Sequence, residues 1–389
     1  MDSQMTFTMD DVLDNSPNMM KVIGVGGAGC NAIDRMIAAG LSGLDFIALN
    51  TDKQALEQCQ SPIKIQIGRH TTKGLGAGSD PEEGRRAAEE DREMIAEVLE
   101  GADMIFITAG MGGGTGTGAA PIVAEICREM GALTVSIVTL PFEVEGRVRM
   151  QNALEGVEEL RSRVDATIVI PNERLLGLID ENEEYEEALG RVDDVLYRAT
   201  KGISDLINIY GRINLDFRDV RTIMKMGGDS YMGMGIAKGS NRAIMAAQEA
   251  ISCPLMDEIN IKGATGLLIN VSANKPRFKE YIDACKVIME AAGENALIIK
   301  GLVDDESLGD EFRVTVIATG FGKKIEKPVL DIKKKVVDLS EARREFHQDN
   351  YNQHDVSDND EQDLSRKKVV GLGRSEKHTI PAFLRKKRD

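Results

Sequence analysis

The sequence predicts an α/β protein built on a parallel sheet that is covered by helices on both faces. Short runs consisting almost wholly of Ile, Val and Leu alternate with longer amphipathic stretches, and two of the runs end in dense glycine clusters. Continuous apolar strands are typical of parallel sheets, because both faces of such a sheet are buried. Ligands of α/β proteins bind at the carboxyl ends of the strands, so the glycine clusters mark the expected site.

The elements follow one another in two groups. Strands are predicted over 21–25, 45–50, 103–109, 133–140 and 166–171. Helices are predicted over 84–100 and over 121–131, the second with Pro121 in its first turn and Gly131 at its end. A long helical stretch occupies about 184–210, and beyond it a strand, helix, strand, strand order is predicted over 266–273, 278–293, 296–303 and 313–320. This second group indicates a smaller α+β unit.

Composition limits the classes of partner. The 389 residues contain 48 Lys and Arg against 64 Asp and Glu, a net charge of −16. This acidic balance argues against binding to nucleic acid or to an anionic membrane. No apolar run approaches the roughly 18 to 20 residues that span a bilayer, so direct membrane insertion is not expected. The acidic, polar start "MDSQMTFTMDDVLDNS" is unlike a secretory signal, and the protein is expected to be cytoplasmic.

The five cysteines are scattered, odd in number and without a CxxC pair. This pattern is typical of reduced thiols in a cytosol, and the cysteines are expected to be small buried hydrophobic residues. The five are Cys30, Cys59, Cys127, Cys253 and Cys285.

Three glycine clusters carry the main functional signal: the first is "GVGGAGCNA" at 24–32, the second is "GMGGGTGTG" at 110–118, and the third is "TKGLGAG" at 72–78. The first fits the GxGxxG turn of a dinucleotide site, with Asp52 at the end of the next strand as a ribose ligand. It fits other phosphate sites equally well, and three clusters at the strand ends suit a triphosphate better than one pyrophosphate. No Walker-type GxxxxGK(S/T) occurs, so backbone amides, the Thr115 and Thr117 hydroxyls and a metal ion would balance the phosphate charge.

The motifs, taken in order, resemble those of the tubulin/FtsZ GTPase superfamily, and within it the bacterial cell-division proteins. The resemblance extends from about 21 to 322 and covers "IGVGGAGCNAI", "ALNTD", "KGLGAG", "GMGGGTGTGAAP", "TLPFEVEGRVRM", "IPNERL" and "NLDFRDVRTIM". It implies a GTP/GDP site and Mg²⁺ held mainly through the nucleotide, with no metal-ligating residues of the protein.

The resemblance also implies the roles of individual residues. The α- and β-phosphates and the ribose would contact Gly27, Ala28, Gly29 and Asn31. The β- and γ-phosphates would contact Gly114, Thr115 and Gly116, with Ala77 and Gly78 near the γ-phosphate. The ribose and phosphate would also contact Glu145 and Arg149, and the guanine edge would contact Asn172 and Asp194. A carboxylate such as Asp194 can accept from both N1–H and the exocyclic amine of guanine, which adenine cannot match. The family usually places an aromatic ring against the base, where this chain has Leu189.

The segment "NLDFRDVRTIM" at 214–224 contains the candidate catalytic residues Asn214, Asp216 and Asp219. Locally, two acids in a first helical turn complement the helix dipole. In the family this segment enters the nucleotide site of the next subunit, where a carboxylate can orient or deprotonate the attacking water. The resemblance therefore implies hydrolysis at the interfaces of a head-to-tail filament.

The chain is accordingly expected to comprise a flexible N-terminal segment (1–20), a GTP-binding domain (21–185), a connecting helix (186–210), an α+β domain (211–322), a disordered linker (323–375) and a partner-binding tail (376–389). The tail places an apolar "IPAFL" before four cations, and we expect it to bind membrane-tethering and regulatory division proteins. The expected function is a self-assembling GTPase that forms the division ring at midcell. The alternatives are an NAD-dependent oxidoreductase and a filament protein that binds GTP without needing turnover.

Overall fold

A computed structural model of the chain describes residues 19–178, 185–208, 213, 216–256, 261–293 and 296–321. Within these residues ten strands form one sheet: β1 (Met20–Val25), β2 (Asp45–Asn50), β3 (Ile63–Gln66), β4 (Met104–Gly110), β5 (Leu133–Leu140), β6 (Ala166–Pro171), β7 (Asp229–Ala237), β8 (Gly266–Ala273), β9 (Leu297–Asp304) and β10 (Phe312–Phe321). The linker 323–375, the tail 376–389, nearly all of the N-terminal segment 1–20, and Asn214 lie outside the described residues.

The strand order is β3-β2-β1-β4-β5-β6-β7-β10-β8-β9. All pairs from β3 to β7 are parallel, whereas β10 is antiparallel to both of its neighbours. The pairing of β6 with β7 is short, with Thr167 opposite Asp229 and Ile168 opposite Ser230. One sheet thus runs through both predicted units, and the predicted α/β class is confirmed.

The two faces of the sheet carry separate cores. In β4, Phe106 packs into one apolar cluster and Ile107 into another, and neither side chain is exposed to solvent. In β1, Val22 and Ile23 are divided in the same way. Because successive side chains of a strand point to opposite faces, the continuous apolar runs reflect burial on both sides, as predicted.

Ten α-helices connect or cover the strands of the described chain: α1 (Gly26–Ala38), α2 (Lys53–Gln58), α3 (Pro81–Glu90), α4 (Arg92–Leu99), α5 (Thr115–Glu129), α6 (Arg147–Arg161), α7 (Tyr185–Asn208), α8 (Phe217–Met224), α9 (Arg242–Ile251) and α10 (Phe278–Ala292). The helix α7 confirms the long stretch predicted at 184–210. None of the helices in the described parts of the chain is both long and apolar enough to cross a membrane.

Two helix predictions were wrong in detail. The stretch 84–100 is divided into α3 and α4 at Asp91, whose carboxylate turns away to accept a hydrogen bond from the Gly68 N–H at 2.7 Å. Helix α5 begins at Thr115, so Pro121 lies inside it and not in its first turn. The last residues of the glycine cluster are therefore helical, which the sequence pattern alone did not indicate.

Strand β7 was not predicted, because Gly233 and Gly235 interrupt its apolar pattern. Both glycines face α9: a Cβ at Gly233 would overlap the carbonyl oxygen of Ala250, and one at Gly235 would overlap that of Ala246. The missing side chains allow the helix to lie directly on the strand. Glycine in a strand often marks this kind of close backbone approach.

Candidate nucleotide-binding site

The first two glycine clusters meet at the carboxyl edge of the sheet. Strands β1 and β4 are parallel neighbours, so α1 and α5, which follow them, begin side by side. A Cβ at Gly26 would lie 2.9 Å from the Gly116 nitrogen, and one at Gly110 would lie 2.6 Å from Cβ of Ala28. The two helix starts therefore touch through nearly bare backbone.

The third cluster packs against the second. A Cβ at Gly114 would lie 2.7 Å from Cβ of Ala77 and 2.9 Å from the Asp80 carbonyl oxygen. One turn further along α5, a Cβ at Gly118 would overlap the Pro81 carbonyl oxygen at the start of α3. These two glycines hold the 72–80 segment against α5, so their role in the described structure is close packing.

Other glycines of the clusters face open space. No atom lies within 4 Å of the Cβ positions at Gly27 and Gly113. Neither α1 nor α5 has a side-chain cap, and the first-turn N–H groups of a helix have no partner within the helix. Uncapped helix starts with room in front of them suit phosphate oxygens. Gly27, which is predicted to lie at the phosphates, faces this space, whereas a Cβ at Gly29 or Gly116 would meet backbone oxygens. The neighbouring Ala28 and Asn31 are exposed.

The two threonines of the second cluster have different surroundings. The Thr115 hydroxyl lies 2.6 Å from the Thr51 hydroxyl, at the end of β2. The Thr117 hydroxyl is buried and accepts a hydrogen bond from the Gly112 N–H at 2.8 Å. The expectation that Thr117 balances phosphate charge is therefore wrong, because its oxygen braces the loop. Thr51 was missed as a site residue, although it lies in the "ALNTD" motif.

The γ-phosphate candidates Ala77 and Gly78 follow the turn that packs on α5. Ala77 is buried against Gly114, whereas Gly78 is exposed and has a φ of 57°. Asp52, the ribose ligand of the alternative dinucleotide site, caps α2 by accepting from the Gln54 and Ala55 N–H groups at 2.9 and 3.1 Å. Its carboxylate is thus used inside the protein.

Glu145 and Arg149 lie beside the second cluster. Their side chains form an ion pair at 3.1 Å, and Glu145 also accepts from the Phe142 N–H at 2.8 Å. The Arg149 backbone passes close to Gly112, where a Cβ would lie 2.7 Å from the Arg149 carbonyl oxygen. Both residues are exposed at the same sheet edge as the glycine clusters.

The predicted base-reading residues lie after β6 and in α7. Asn172 is buried, and its Oδ1 atom has no hydrogen-bond partner. A buried amide oxygen without a partner fits a site that a ligand donor completes. The Asp194 carboxylate accepts a hydrogen bond from Arg198 Nε at 2.5 Å and forms an ion pair with Arg35 Nη2 at 3.7 Å. Leu189 belongs to α7, but its side chain lies outside what the structure describes.

The arginines around Asp194 were missed by the sequence reasoning. Arg198 follows Asp194 by four residues, a spacing that places both on one face of a helix and could have been noticed. Arg35 comes from α1 and could not be found in this way. The adjacent Asp193 differs from Asp194, since burial raises its pKa to about 6, with Asp34 adding to the shift and Arg35 opposing it.

The candidate catalytic acids lie away from all these residues. Asp216 caps α8 by accepting from the Arg218 N–H at 3.0 Å, while Asp219 is exposed in the first turn. The Arg221 guanidinium of the same helix donates to the Gly131 carbonyl oxygen at 3.0 Å. Gly131 lies two residues before the start of β5, so α8 packs at the amino edge of the parallel strands.

Comparison with known proteins decides the family. The family model described as "Tubulin/FtsZ family, GTPase domain" matches residues 19–180, and "FtsZ family, C-terminal domain" matches residues 228–322. The chain belongs to the tubulin/FtsZ family. It is 49% identical to the cell division protein FtsZ of Pseudomonas putida (strain KT2440) over 88% of this chain and 86% of that one. It is 50% identical to the FtsZ of Pseudomonas aeruginosa (strain PAO1) over 85% and 83%.

A solved structure described as an empty FtsZ dimer of M. jannaschii is also similar. Its TM-score is 0.76 at 42% identity, and the match covers 81% of this chain and 93% of that one. Together these findings support the expected self-assembling cell-division GTPase, with GTP hydrolysis as its reaction. They do not support the NAD-dependent oxidoreductase, in agreement with the capping role of Asp52.

Proposed function

We propose that this FtsZ-family chain hydrolyses GTP between two of its own copies, stacked head to tail. The observation that supports this most strongly is the position of α8 at the edge of the sheet opposite the glycine clusters. Strand β5 has eight residues, which at about 3.3 Å each separate its two ends by about 26 Å. Since Asp219 is near one end and Gly114 near the other, the two cannot act on the same phosphate within one molecule.

Asp219 is the acid that we assign to the chemistry. Its side chain is exposed, whereas the Asp216 carboxylate is engaged in capping α8. A second copy would bring Asp219 to the nucleotide edge, where its carboxylate orients or deprotonates the attacking water. The N–H groups at the starts of α1 and α5 stabilise negative charge on the transferring phosphoryl group.

Mg²⁺ would be held mainly by the phosphate oxygens of GTP, and would neutralise their developing charge. Among the residues that the structure describes, no group of three or more His, Cys, Asp or Glu side chains is arranged to hold a metal ion.

Guanine recognition is assigned to Asn172 and Asp194. One oxygen of Asp194 would accept from guanine N1–H and the other from the exocyclic amine, while Arg198 keeps its bond to the carboxylate. The partnerless Oδ1 of Asn172 offers a further acceptor at the base. A site with these acceptors rejects adenine, which carries no N1–H.

The nucleotide edge also exposes apolar side chains suited to a protein partner. Leu75 is 85% exposed, Val144 is 92% exposed and Val148 is 77% exposed. Leu75 and Val144 lie in the connections around the glycine clusters and Val148 lies in the first turn of α6, where the second copy would cover them. Because the contact joins two different surfaces, it can repeat without closing and produce an open filament.

A mixing experiment tests the shared site. Gly27→Glu places a carboxylate in the open space before α1 and should block GTP binding without disturbing packing, whereas Asp219→Ala should bind GTP normally and hydrolyse it poorly. Each variant alone should be inactive. In a random 1:1 mixture, about a quarter of the interfaces combine the intact nucleotide loops of an Asp219→Ala subunit with the intact acid of a Gly27→Glu subunit. Turnover should therefore reach at most about a quarter of the wild-type rate.

Two results would contradict this proposal. One is a mixture whose GTP turnover is no higher than that of either variant alone, when both variants are folded and Gly27→Glu copolymerises with Asp219→Ala. The other is a wild-type turnover rate per subunit that stays constant as protein concentration rises through the assembly range.

We further propose that the filaments act in the cytoplasm at the midcell division site. The tail 376–389, which lies outside the described residues, would bind membrane-tethering and regulatory division proteins through its apolar residues. Deleting 376–389 should leave light scattering by GTP-induced polymers intact and abolish recruitment to membranes. Loss of polymerisation in the deleted chain would contradict a tethering role.

A further inference from the structure

Two of the five cysteines lie together beside the candidate nucleotide site. Cys30 is in the second turn of α1, and Cys59 ends α2, its N–H donating to the Ala55 carbonyl oxygen. The Cys59 Sγ atom lies 3.8 Å from the Cys30 carbonyl oxygen, and the two thiols are close enough to shift each other's pKa. Both side chains are buried, although Gln60, next to Cys59, is exposed.

Polar groups surround this pair. The Cys59 thiol donates to Asp34 Oδ1 at 3.0 Å, and the Gln60 N–H donates to the same oxygen at 2.6 Å. The Asn50 amide points at Cys30 Sγ at 3.9 Å. These contacts differ from the apolar surroundings that the sequence reasoning expected for every cysteine.

The two thiols are not equivalent as nucleophiles. The interaction with the Cys30 thiol, together with the Ser61 N–H, lowers the pKa of Cys59 against the opposing effects of burial and Asp34. The same interaction and burial raise the pKa of Cys30 far above its ordinary value. Cys59 is therefore the thiol that loses its proton first and reacts.

The remaining cysteines offer an internal comparison. Burial raises the pKa of Cys127 to about 12 and also raises that of Cys285, and no second cysteine contributes to either shift. Neither has the thiol partner that a disulfide requires, and both should stay reduced under mild oxidation.

We propose that Cys30 and Cys59 form a reversible intramolecular redox site. Hydrogen peroxide is the oxidant: the Cys59 thiolate attacks one of its oxygens, the O–O bond breaks, and Cys59 becomes a sulfenic acid. The other oxygen leaves as hydroxide and takes up the proton that the Cys59 thiol had lost, which gives water. The Cys30 sulfur then attacks the Cys59 sulfur, an S–S bond forms, and the sulfenic oxygen leaves as a second water with the Cys30 proton. Overall, two thiols and one hydrogen peroxide give one disulfide and two waters.

The disulfide would alter the nucleotide site, a consequence that rests on the proposed function. On one side of the candidate phosphate site, Cys30 lies between the site residues Gly29 and Asn31. On the other side, Asn50 is followed by Thr51, whose hydroxyl forms a hydrogen bond with that of Thr115. Drawing Cys59 onto Cys30 displaces the Asn50 amide from the sulfur and shifts both sides of the phosphate site. We expect GTP binding to weaken by at least about fivefold, the low end of typical coupling between sites.

The experiment treats the folded full-length chain with stoichiometric hydrogen peroxide, alkylates the free thiols and maps the peptides by mass spectrometry. The expected result is loss of two of the five thiols, one cross-linked peptide pair containing Cys30 and Cys59, and recovery of all five thiols with dithiothreitol. Cys30→Ser and Cys59→Ser should each abolish the cross-link, whereas the matched control Cys127→Ser should retain it.

Overoxidation of Cys59 with Cys30 still alkylatable would overturn the proposal, as would five free thiols after peroxide treatment. GTP binding is then measured on reduced and oxidised chains, with Cys59→Ser as the control that peroxide should not affect. Equal affinity of the two wild-type forms would overturn the coupling. Peptide mapping needs no nucleotide, so it tests the disulfide alone. Turnover of the reduced protein tests the proposed GTPase function alone. Failure of the redox proposal can therefore be distinguished from failure of the proposed function.

Discussion

The substitution Gly118→Ala tests whether close helix packing holds the third glycine cluster in place. The added Cβ would lie 2.6 Å from the Arg85 backbone nitrogen and 2.9 Å from the Pro81 carbonyl carbon, and would overlap the Pro81 oxygen. Ordinary C···O contacts are about 3.3 to 3.6 Å, so α3 and α5 would have to separate by about 1.5 Å. Backbone on both sides leaves no side chain that can rotate away.

Overpacking of this kind costs about 3 kcal/mol at the upper end of its usual range. The better helix propensity of alanine returns about 1 kcal/mol, which leaves a net loss of about 2 kcal/mol. For about 300 folded residues with an unfolding entropy of about 2.1 cal/mol/K each, Tm should fall by about 3 °C. Differential scanning calorimetry of the nucleotide-free protein measures this shift.

Gly113→Ala is the matched control, since its Cβ would meet no atom within 4 Å. Its Tm should equal that of the wild type. GTP affinity should also fall in Gly118→Ala, because the displaced α3 takes Ala77 and Gly78 away from the site. A Gly118→Ala chain as stable as Gly113→Ala would refute the assignment of this glycine to packing.

Three further predictions concern charged groups. Asp194→Asn should weaken GTP binding by about 100-fold or more and favour XTP. The asparagine amide can accept from N1–H, but its NH2 group donates to the 2-oxo group of xanthine and meets only another donor on guanine. A fluorescent-nucleotide titration that gives equal GTP affinity for the variant and the wild type would contradict base reading by Asp194. Burial raises the folded-state pKa of Asp193 to about 6, so the charged form opposes folding above that pH. Asp193→Asn should therefore raise the free energy of unfolding at about pH 7 and change it little near pH 4, as measured by urea denaturation. The hydrogen bond from Arg85 lowers the folded-state pKa of Glu159, so its stabilisation is present above the unfolded pKa and is lost on acidification. Glu159→Gln should be less stable than the wild type at neutral pH and lose less stability as the pH falls from about 5 to 3, with Glu158→Gln, an exposed neighbour, as the control.

Much of the fold could be predicted because its signals are local. Strands β1, β4 and β5 consist mainly of apolar residues and are buried over almost their whole length. That pattern predicted most of the strands, whereas the short strand β3 and the glycine-containing strand β7 were missed. The clusters at 24–32 and 110–118, which follow strands, pointed to the edge of the sheet at which the structure brings the glycine clusters together.

The division of labour among the glycines could not be predicted. Gly113 and Gly114 are adjacent and chemically identical, yet one faces open space and the other faces Ala77. Which of them leaves room for a phosphate depends on where α3 packs, and no local pattern contains that information. The pairing of Cys30 with Cys59 is hidden for the same reason, since 29 residues and a strand separate them.

The separation of Asp219 from the glycine clusters follows from parallel topology. In a parallel sheet every loop after a strand lies at one edge and every loop before a strand lies at the other. Gly114 follows β4, while α8 is tied to Gly131 before β5, so the length of the strands keeps the two groups apart whatever their side chains do. If the glycine clusters bind the phosphates and Asp219 is the catalytic acid, as proposed, the site can be completed only by another copy. Hydrolysis would then report assembly, and the lifetime of a filament interface would be linked to the nucleotide inside it.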